Sequence, residues 1–324
     1  MNFQNLEYFL AVARENNITK AAEQLGITQQ ALSNQISRME DELGCRLFNR
    51  KHGFQLTAAG KEMLKSSKRI LDIFDQTQLV MNDISDNKRG ELRIGITHTR
   101  GQYILPVLLP DFARMYPNVS LSLTEGSTRL LEESLDRGDI DLLIGFKPFM
   151  SADAVITDLM KENLFIAAPK ELLIERFGDD YSSILAEYKK KPDLSLFKDM
   201  PFVLLLNNDC IRTAVEYEFK RAEIEPYVRL ETQNVQTAFV LAAEGLGLTV
   251  IPGPYLKSKY LICGDDYAAL RDKVEILPFT APPNIIAVGY NPRKYLSRIA
   301  QDFIDLAVEK FSKIASETDK SRQN

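Results

Sequence analysis

The chain has 324 residues, 45% apolar and 26% charged, the balance of a soluble globular protein with room for two or three domains, each with its own core. A formal charge of −5 excludes a protein that holds nucleic acid by bulk positive charge, so any DNA affinity must come from a local surface and from pairing two such surfaces. Three widely spaced cysteines give no disulfide framework and no zinc spacing, the opening MNFQNLEYFLAVARENN is no signal peptide, and no run approaches about 18 apolar residues, so a cytoplasmic protein without membrane contact is expected.

In chain order, Leu6, Phe9, Leu10 and Val12 mark a first helix. A second follows, with Thr19 as its cap, Ala21 and Ala22 small enough for close helix approach, Leu25 facing the core, and Gly26 supplying a turn. Thr28 then reads as the N-cap of a third helix, in which Leu32, Ile36, Met39 and Leu43 recur at intervals of four, three and four, a single buried stripe. The opposite face carries Gln30, Ser33, Asn34 and Ser37, with Gln29 at its edge. Gln and Asn amides can bond bidentately to an adenine edge, and Ser can donate or accept at several bases, so this is a candidate DNA-reading surface. Glu40, Asp41 and Glu42 would be repelled by phosphates, which places base contacts in the N-terminal half. Arg46, Arg50 and Lys51, around the turn FNRKHG, suit phosphate contacts from a β wing.

Two short amphipathic helices joined at a glycine also occur in ordinary bundles, and residues 1–62 carry a formal charge near zero. The discriminating signal is the run AAEQLGITQQALSNQISRMEDELGCRLFNR followed by LTAAG. It resembles the N-terminal signature of the LysR-type transcriptional regulators, with Gln29, Ala31, Leu32, Ser33, Gln35, Ile36, Glu40, Leu43, Gly44, Leu47, Phe48 and Arg50 at matching positions. Gln30 stands where that signature usually has Pro, and Met39 where it has Leu; the first adds a donor and acceptor to the reading face, so the family's base preference does not carry over.

From Leu56-Thr57-Ala58-Ala59-Gly60 a long helix is expected to about Asn87, with Met63, Ser67, Ile70, Phe74, Thr77, Met81 and Ile84 alternating at fours and threes like a short coiled-coil seam. Such a helix either packs on its own effector domain or pairs with a second copy. The resemblance favours the dimer, with Met63, Ile70, Phe74, Met81 and Ile84 as dimer-helix residues, and implies a homotetramer. Past a polar hinge at Ser85–Gly90, strands alternate with helices in two series, GELRIGITHT to IDLLIGF and FVLLL to LGLTVIP, which predicts mainly parallel sheets in two α/β subdomains. KVEILPF and NIIAVGY read as strands returning to the first. The stretch Lys170–Met200 is longer than the family usually has there and is expected to be a helical insertion.

The fold expected is therefore a multidomain α+β and α/β chain: a winged helix-turn-helix over 1–58, a linker and dimerisation helix over 59–89, and an effector-binding domain over 90–312. The last would be built of two periplasmic-binding-protein-like subdomains (90–165 with 270–312, and 166–269), with a disordered tail over 313–324.

Ligands of open α/β sheets sit beyond the carboxyl ends of strands, against helix N-termini. Thr97-His98-Thr99, Gly126-Ser127-Thr128 and Asn207-Asn208-Asp209 are such ends, although Ser and Thr before a helix also serve as plain caps. By the LysR resemblance Thr97, Thr99 and Thr128 would bind polar atoms of a small-molecule effector, with His98, Ser127 and Asn207 beside them. Phe146 and Leu206 would wall the cleft, and Gln233 or Asn234 would close it. Donor-rich helix ends favour an anion, often a carboxylate in the family. Arg100, Arg129 and Lys147 either add charge or are solvated surface, and Asp209 would oppose the anion. Cys210 is similar in place to one of two cysteines of the family's peroxide-sensing branch, but Pro201 stands where its partner would be, so a packed, inert thiol is expected.

The implied partners are double-stranded promoter DNA, the effector, further copies of the chain and RNA polymerase; no cofactor or metal is implied. The competing classes are weaker. An enzyme would need chemistry that is absent: His52 and His98 are the only histidines, and no GxSxG elbow, P-loop or GxGxxG occurs. A solute-binding module without a genetic role would leave the first 60 residues unexplained.

Overall fold

The computed structural model describes residues 1–50, 54–85, 89–149, 153–207, 209–257 and 266–323, in two compact units, Met1–Asp86 and Asn87–Asn324. In the first unit the helices α1 (Phe3–Glu15), α2 (Ile18–Gln24) and α3 (Gln29–Leu43) precede a small antiparallel pair, β1 (Phe48–Asn49) and β2 (Gln55–Leu56), and the long α4 (Ala58–Ile84). One core joins them: Leu6, Phe9 and Val12 from α1, Ala21 and Ala22 from α2, Leu32, Ile36 and Met39 from α3, and Leu47 and Phe48 entering β1. Each large side chain so buried contributes about 1.5–3 kcal/mol, so the stripe on α3 fixes which of its faces stays outward.

Two local expectations are corrected. The cap of α2 is Asn17, whose Oδ1 accepts from the N–H of Thr19 at 2.9 Å and of Lys20 at 3.1 Å; Thr19 is an exposed first-turn residue. Leu43 leaves the buried stripe and is 41% exposed, because α3 ends there in a left-handed turn at Gly44 with φ 67°. Its place in the interior is taken by Glu40, one turn beyond Ile36. Thr57 caps α4, accepting from the N–H of Gly60 at 3.0 Å. Gly60 itself is required, since a Cβ there would lie 2.1 Å from the carbonyl oxygen of Leu47.

The 4-3 seam on α4 is divided. Met63 and Ser67 at its start turn toward the unit's own core, with Ser67 fully buried, whereas Ile70, Phe74, Met81 and Ile84 are exposed, as is Ile73 beside them. Phe74 stacks on Phe3 with ring centroids 4.4 Å apart, so the expected dimer residues are exposed from Ile70 onward but not at Met63.

In the second unit, β3 (Gly90–Ile96), α5 (His98–Met115), β4 (Val119–Glu125), α6 (Thr128–Arg137), β5 (Leu142–Phe146) and β6 (Val155–Glu162) build the first subdomain with β12 (Asn284–Tyr290) and α13 (Arg298–Gln323). The sheet order is β4-β3-β5-β12-β6. β3 is parallel to β4 and β5, and β12 is antiparallel to β5 and β6. The second subdomain contains β7 (Leu164–Pro169), α7 (Lys170–Phe177), α8 (Tyr181–Lys190), β8 (Pro201–Leu205), α9 (Cys210–Arg221), β9 (Tyr227–Thr232), α10 (Val235–Ala243), β10 (Thr249–Pro252), α11 (Gly253–Lys257), α12 (Asp266–Asp272) and β11 (Val274–Pro278). Its sheets are β10-β7-β11 and the parallel pair β8-β9.

The two late strands therefore part company. NIIAVGY returns to the first sheet as expected, but VEILP pairs antiparallel with β7, so the chain re-enters the first subdomain only between Pro278 and Asn284. Lys170–Met200 is helical, with α7, α8 and two short 3-10 turns, and its Leu173, Leu185, Tyr188, Leu194 and Phe197 join the second core. α13 continues to Gln323 rather than ending near 312, since ETDKSRQ contains neither Pro nor Gly to stop a helix.

Candidate nucleic-acid interface and effector cleft

On α3 the hydroxyl of Thr28 accepts from the N–H of Ala31 at 3.2 Å, and the first turn that follows is open to solvent. Gln29, Gln30 and Asn34 are exposed, and Ser33 and Ser37 are partly so. The amides and hydroxyls singled out in the sequence thus share one outward face, opposite Leu32, Ile36 and Met39. Arg38, one turn past Asn34, is an exposed cation on the same helix that the sequence reading did not name. Gln35 is turned inward, accepting from the side chain of Asn5 at 3.2 Å.

The wing is tied to this helix by a buried carboxylate. Glu40 Oε1 accepts from the N–H of Leu47 at 2.9 Å and of Phe48 at 3.1 Å, while its Oε2 meets Arg46 at 2.6 Å and Arg50 at 3.1 Å. Arg50 also donates to Ser37 Oγ at 2.9 Å, which couples the wing cation to the reading face. Burial works against the charged carboxylate, but Arg46, the two backbone donors and Arg50 more than offset it and hold the pKa of Glu40 below the ordinary value. Lys51 and His52 lie outside the described residues.

The effector cleft is set by topology. Because β3, β4 and β5 run parallel, with Ile96 opposite both Glu125 and Ile144, the turns after them open on one edge. Thr97 and Thr99 are buried, Ser127 and Thr128 half-buried, and Phe146 buried at the end of β5. Thr97 and Ser127 hold N-cap positions without capping through their side chains. In the second subdomain Leu206 is half-buried and Asn207 exposed, after β8, and the N–H of Leu206 bonds to Thr232 O at 3.0 Å. Asn208 is outside the described residues. Gln233 and Asn234 are exposed, and Asn234 is occupied as the cap of α10, accepting from the N–H of Gln236 and Thr237. His98 turns outward to Glu125 at 3.4 Å.

What joins the two subdomains here is Arg100. Its guanidinium is 1% exposed. Nη2 reaches Glu162 at 2.6 Å, Nη1 lies 3.7 Å from Cys210 Sγ at the start of α9, and the guanidinium carbon stands 3.8 Å from the centroid of the Phe146 ring. Tyr103 donates its hydroxyl to the other oxygen of Glu162. Burial opposes the charge of Arg100, and the neighbouring Glu162 more than restores it, so the guanidinium stays charged; burial, with the neighbouring carboxylate, pushes the Tyr103 hydroxyl well above its usual range and keeps it a donor. Arg129 and Lys147, by contrast, are solvated, facing Glu133 at 3.5 Å and Asp158 at 2.9 Å. Surface is thus the outcome for two of the three cations weighed in the sequence and not for Arg100. Burial also pushes the Cys210 thiol up to about 12, so it is protonated and packed.

Among the described residues no group of His, Cys, Asp and Glu could hold a metal ion, and no helix is long and apolar enough to cross a membrane.

Known proteins place this architecture. The family model of the bacterial regulatory helix-turn-helix protein, lysR family, matches residues 3–61, and that of the LysR substrate binding domain matches residues 85–312. An uncharacterized HTH-type transcriptional regulator of Bacillus subtilis, YcgK, is 30% identical over 318 residues, 95% of this chain and 94% of its own. The HTH-type transcriptional regulator ClcR of Pseudomonas putida is 33% identical over 256 residues, 78% of this chain and 83% of its own. Among solved structures, full-length CbnR complexed with its target DNA superposes with a TM-score of 0.62 at 22% identity, over 96% of this chain and 100% of that one. With both halves matched by family models and a relative aligned over nearly its whole length, the chain belongs to the LysR family of DNA-binding transcriptional regulators, not enzymes, and carries that family's effector-binding domain.

Proposed function

We propose that the protein switches promoter recognition in response to a small polar or anionic effector, acting in the cytoplasm as a homo-oligomer. The amides and hydroxyls of Gln29, Gln30, Ser33, Asn34 and Ser37 enter the major groove, while Thr19, Thr28, Arg50 and Lys51 meet phosphates. The observation that carries this is the outward face of α3, polar and exposed over a fully buried apolar stripe. Pairing through the exposed apolar side chains of α4 from Ile70 to Ile84 sets two such heads on a palindromic site; such pairs assemble further into a tetramer.

Effector binding at Thr97, Thr99, Thr128 and Phe146, with Leu206 across the cleft and Gln233 and Asn234 at its rim, changes the angle between the subdomains. That change alters DNA contacts and bending at target promoters and so the access of RNA polymerase. The related CmpR of Synechocystis, 30% identical over 300 residues, is an HTH-type transcriptional activator, which supports a promoter-level role. Footprinting with and without an effector tests it: the protected region and its hypersensitive positions change extent if the reading holds, and identical footprints would contradict it.

A further inference from the structure

The insertion Lys170–Met200 has a task that its burial alone does not explain. In α8, Tyr181, Leu185 and Tyr188 recur at four and three, one inward face, and with Leu173, Leu194 and Phe197 they share a core with Val274 and Leu277 of β11 and with Phe279 just beyond it. Phenylalanine at 188 would serve that packing as well. Tyr188 is 4% exposed; its ring meets Phe197 edge-on at 5.1 Å, and its hydroxyl donates to the carbonyl oxygen of Pro278 at 2.9 Å, the kind of partner a buried tyrosine hydroxyl has to find. Burial, with Asp193 nearby, raises the pKa of that hydroxyl above its usual range and keeps it a donor. Lys189, next in the chain, faces Glu275 of β11 at 3.6 Å.

Pro278 is where the chain leaves the second subdomain: it closes β11, and β12 of the first subdomain begins at Asn284. From the other side Thr280 donates to Glu218 of α9 at 2.7 Å, a carboxylate 1% exposed. The N–H of Phe279 bonds to Leu164 O at 3.2 Å, which fastens this crossover to the outgoing one, where Gly253 donates its N–H to Asn163 O at 2.8 Å. As far as Thr280, then, the returning crossover is fixed to the second subdomain. What remains for a swing is Ala281-Pro282-Pro283, in which two proline rings hold φ at about −65°. We propose that the insertion is a hinge brace: through Tyr188, α8 holds the returning crossover on the second subdomain, confines the swing to residues 281–283, and keeps the subdomains at their resting angle until an effector favours another. This rests on the reading that effector binding changes that angle, and it names the part of this chain that opposes the change.

The angle has a reporter in Cys210, which lies on α9 of the second subdomain but packs against the core of the first, its thiol 3.7 Å from Arg100 Nη1, so that a swing uncovers it. The test uses the full-length protein with Cys45→Ser and Cys263→Ser, so that Cys210 alone reacts, and follows labelling by iodoacetamide at mildly alkaline pH with no effector present. Tyr188→Phe keeps the ring and its packing and removes one hydrogen bond; the Cys210 rate should rise about three- to tenfold, the shift toward the open form that losing one such bond allows. Thr280→Val, which frees the same crossover from Glu218, should act in the same direction. Tyr116→Phe, which removes a tyrosine hydroxyl bonded to Asp302 inside the first subdomain, is the control and should leave the rate at its wild-type value. An unchanged rate in Tyr188→Phe, or an equal rise in Tyr116→Phe, overturns the brace. Because no effector is present, either result leaves the effector reading standing, whereas footprints indifferent to effectors would remove that reading and leave the labelling result as it is.

Discussion

Replacing Glu40 with Gln probes the joint between reading helix and wing. The carboxylate is 2% exposed and receives two backbone N–H bonds, from Leu47 and Phe48, together with Arg46 and Arg50. Gln keeps the volume and one carbonyl acceptor but loses the charge, and its amide NH2 faces one or two guanidinium groups that it cannot satisfy. Losing one charge-assisted bond costs about 1.5–3 kcal/mol, and leaving a buried donor opposed by another donor adds about 1–3 kcal/mol. Because Arg46 is itself well exposed and can return to water, the lower half of that sum applies, about 2.5–4 kcal/mol. Thermal unfolding of the full chain should show the melting of the N-terminal unit falling by many degrees with the effector-domain transition unchanged. DNA affinity should fall with it at temperatures where both units remain folded, because Arg50, which also donates to Ser37, loses the carboxylate that anchors it. An unchanged N-terminal transition would refute the view that Glu40 organises the wing.

The same carboxylate sets a pH dependence. Its folded pKa lies below the unfolded value, so its contribution is complete above the ordinary carboxylate range and is lost as pH falls through the folded pKa; acid titration of wild type should therefore lose N-terminal stability over that window, and Glu40→Gln should flatten the loss. Ile70→Asp with Met81→Asp should break the α4 pairing and lower the mass seen in sedimentation equilibrium, since each exposed apolar side chain buried between copies is worth about 1.5–3 kcal/mol, and an unchanged mass would contradict pairing through α4. Iodoacetamide at mildly alkaline pH should label the exposed Cys45 well before Cys210, whose thiol is pushed up to about 12 by burial; equal labelling would contradict the packed-thiol account.

The helix-turn-helix was legible because its information is local. Apolar residues at fours and threes decide which face is buried, and Thr28 marks where α3 begins. Glu40 could have been found, since it follows Leu32 and Ile36 at the same interval of four, but an acidic triplet at residues 40–42 reads as solvated surface until the N–H groups of Leu47 and Phe48 are seen to need an acceptor. Thr19 and Asn17 can both cap a helix, Asn being the more favoured of the two, and the extended backbone at Asn17 settles the choice. Arg100 was not legible at all: the partner that permits its burial is Glu162, 62 residues away, and no periodicity connects the two. The sheet joined by VEILP was hidden for a similar reason, because alternation identifies a strand and says nothing of which neighbour it pairs with. The strand ends around Thr97 and Ser127 could be located as ends, while their missing side-chain caps required coordinates.

The account rests on the outward face of α3 reading bases. Its most direct test is the base preference of the full-length protein, selected from a random duplex library, compared with that of Gln30→Ala, Asn34→Ala and the double variant. The account predicts that each substitution relaxes preference at particular base pairs by about 1–3 kcal/mol, with the fold intact because both side chains are exposed. A double variant that selects the same sequences with the same stringency would contradict it.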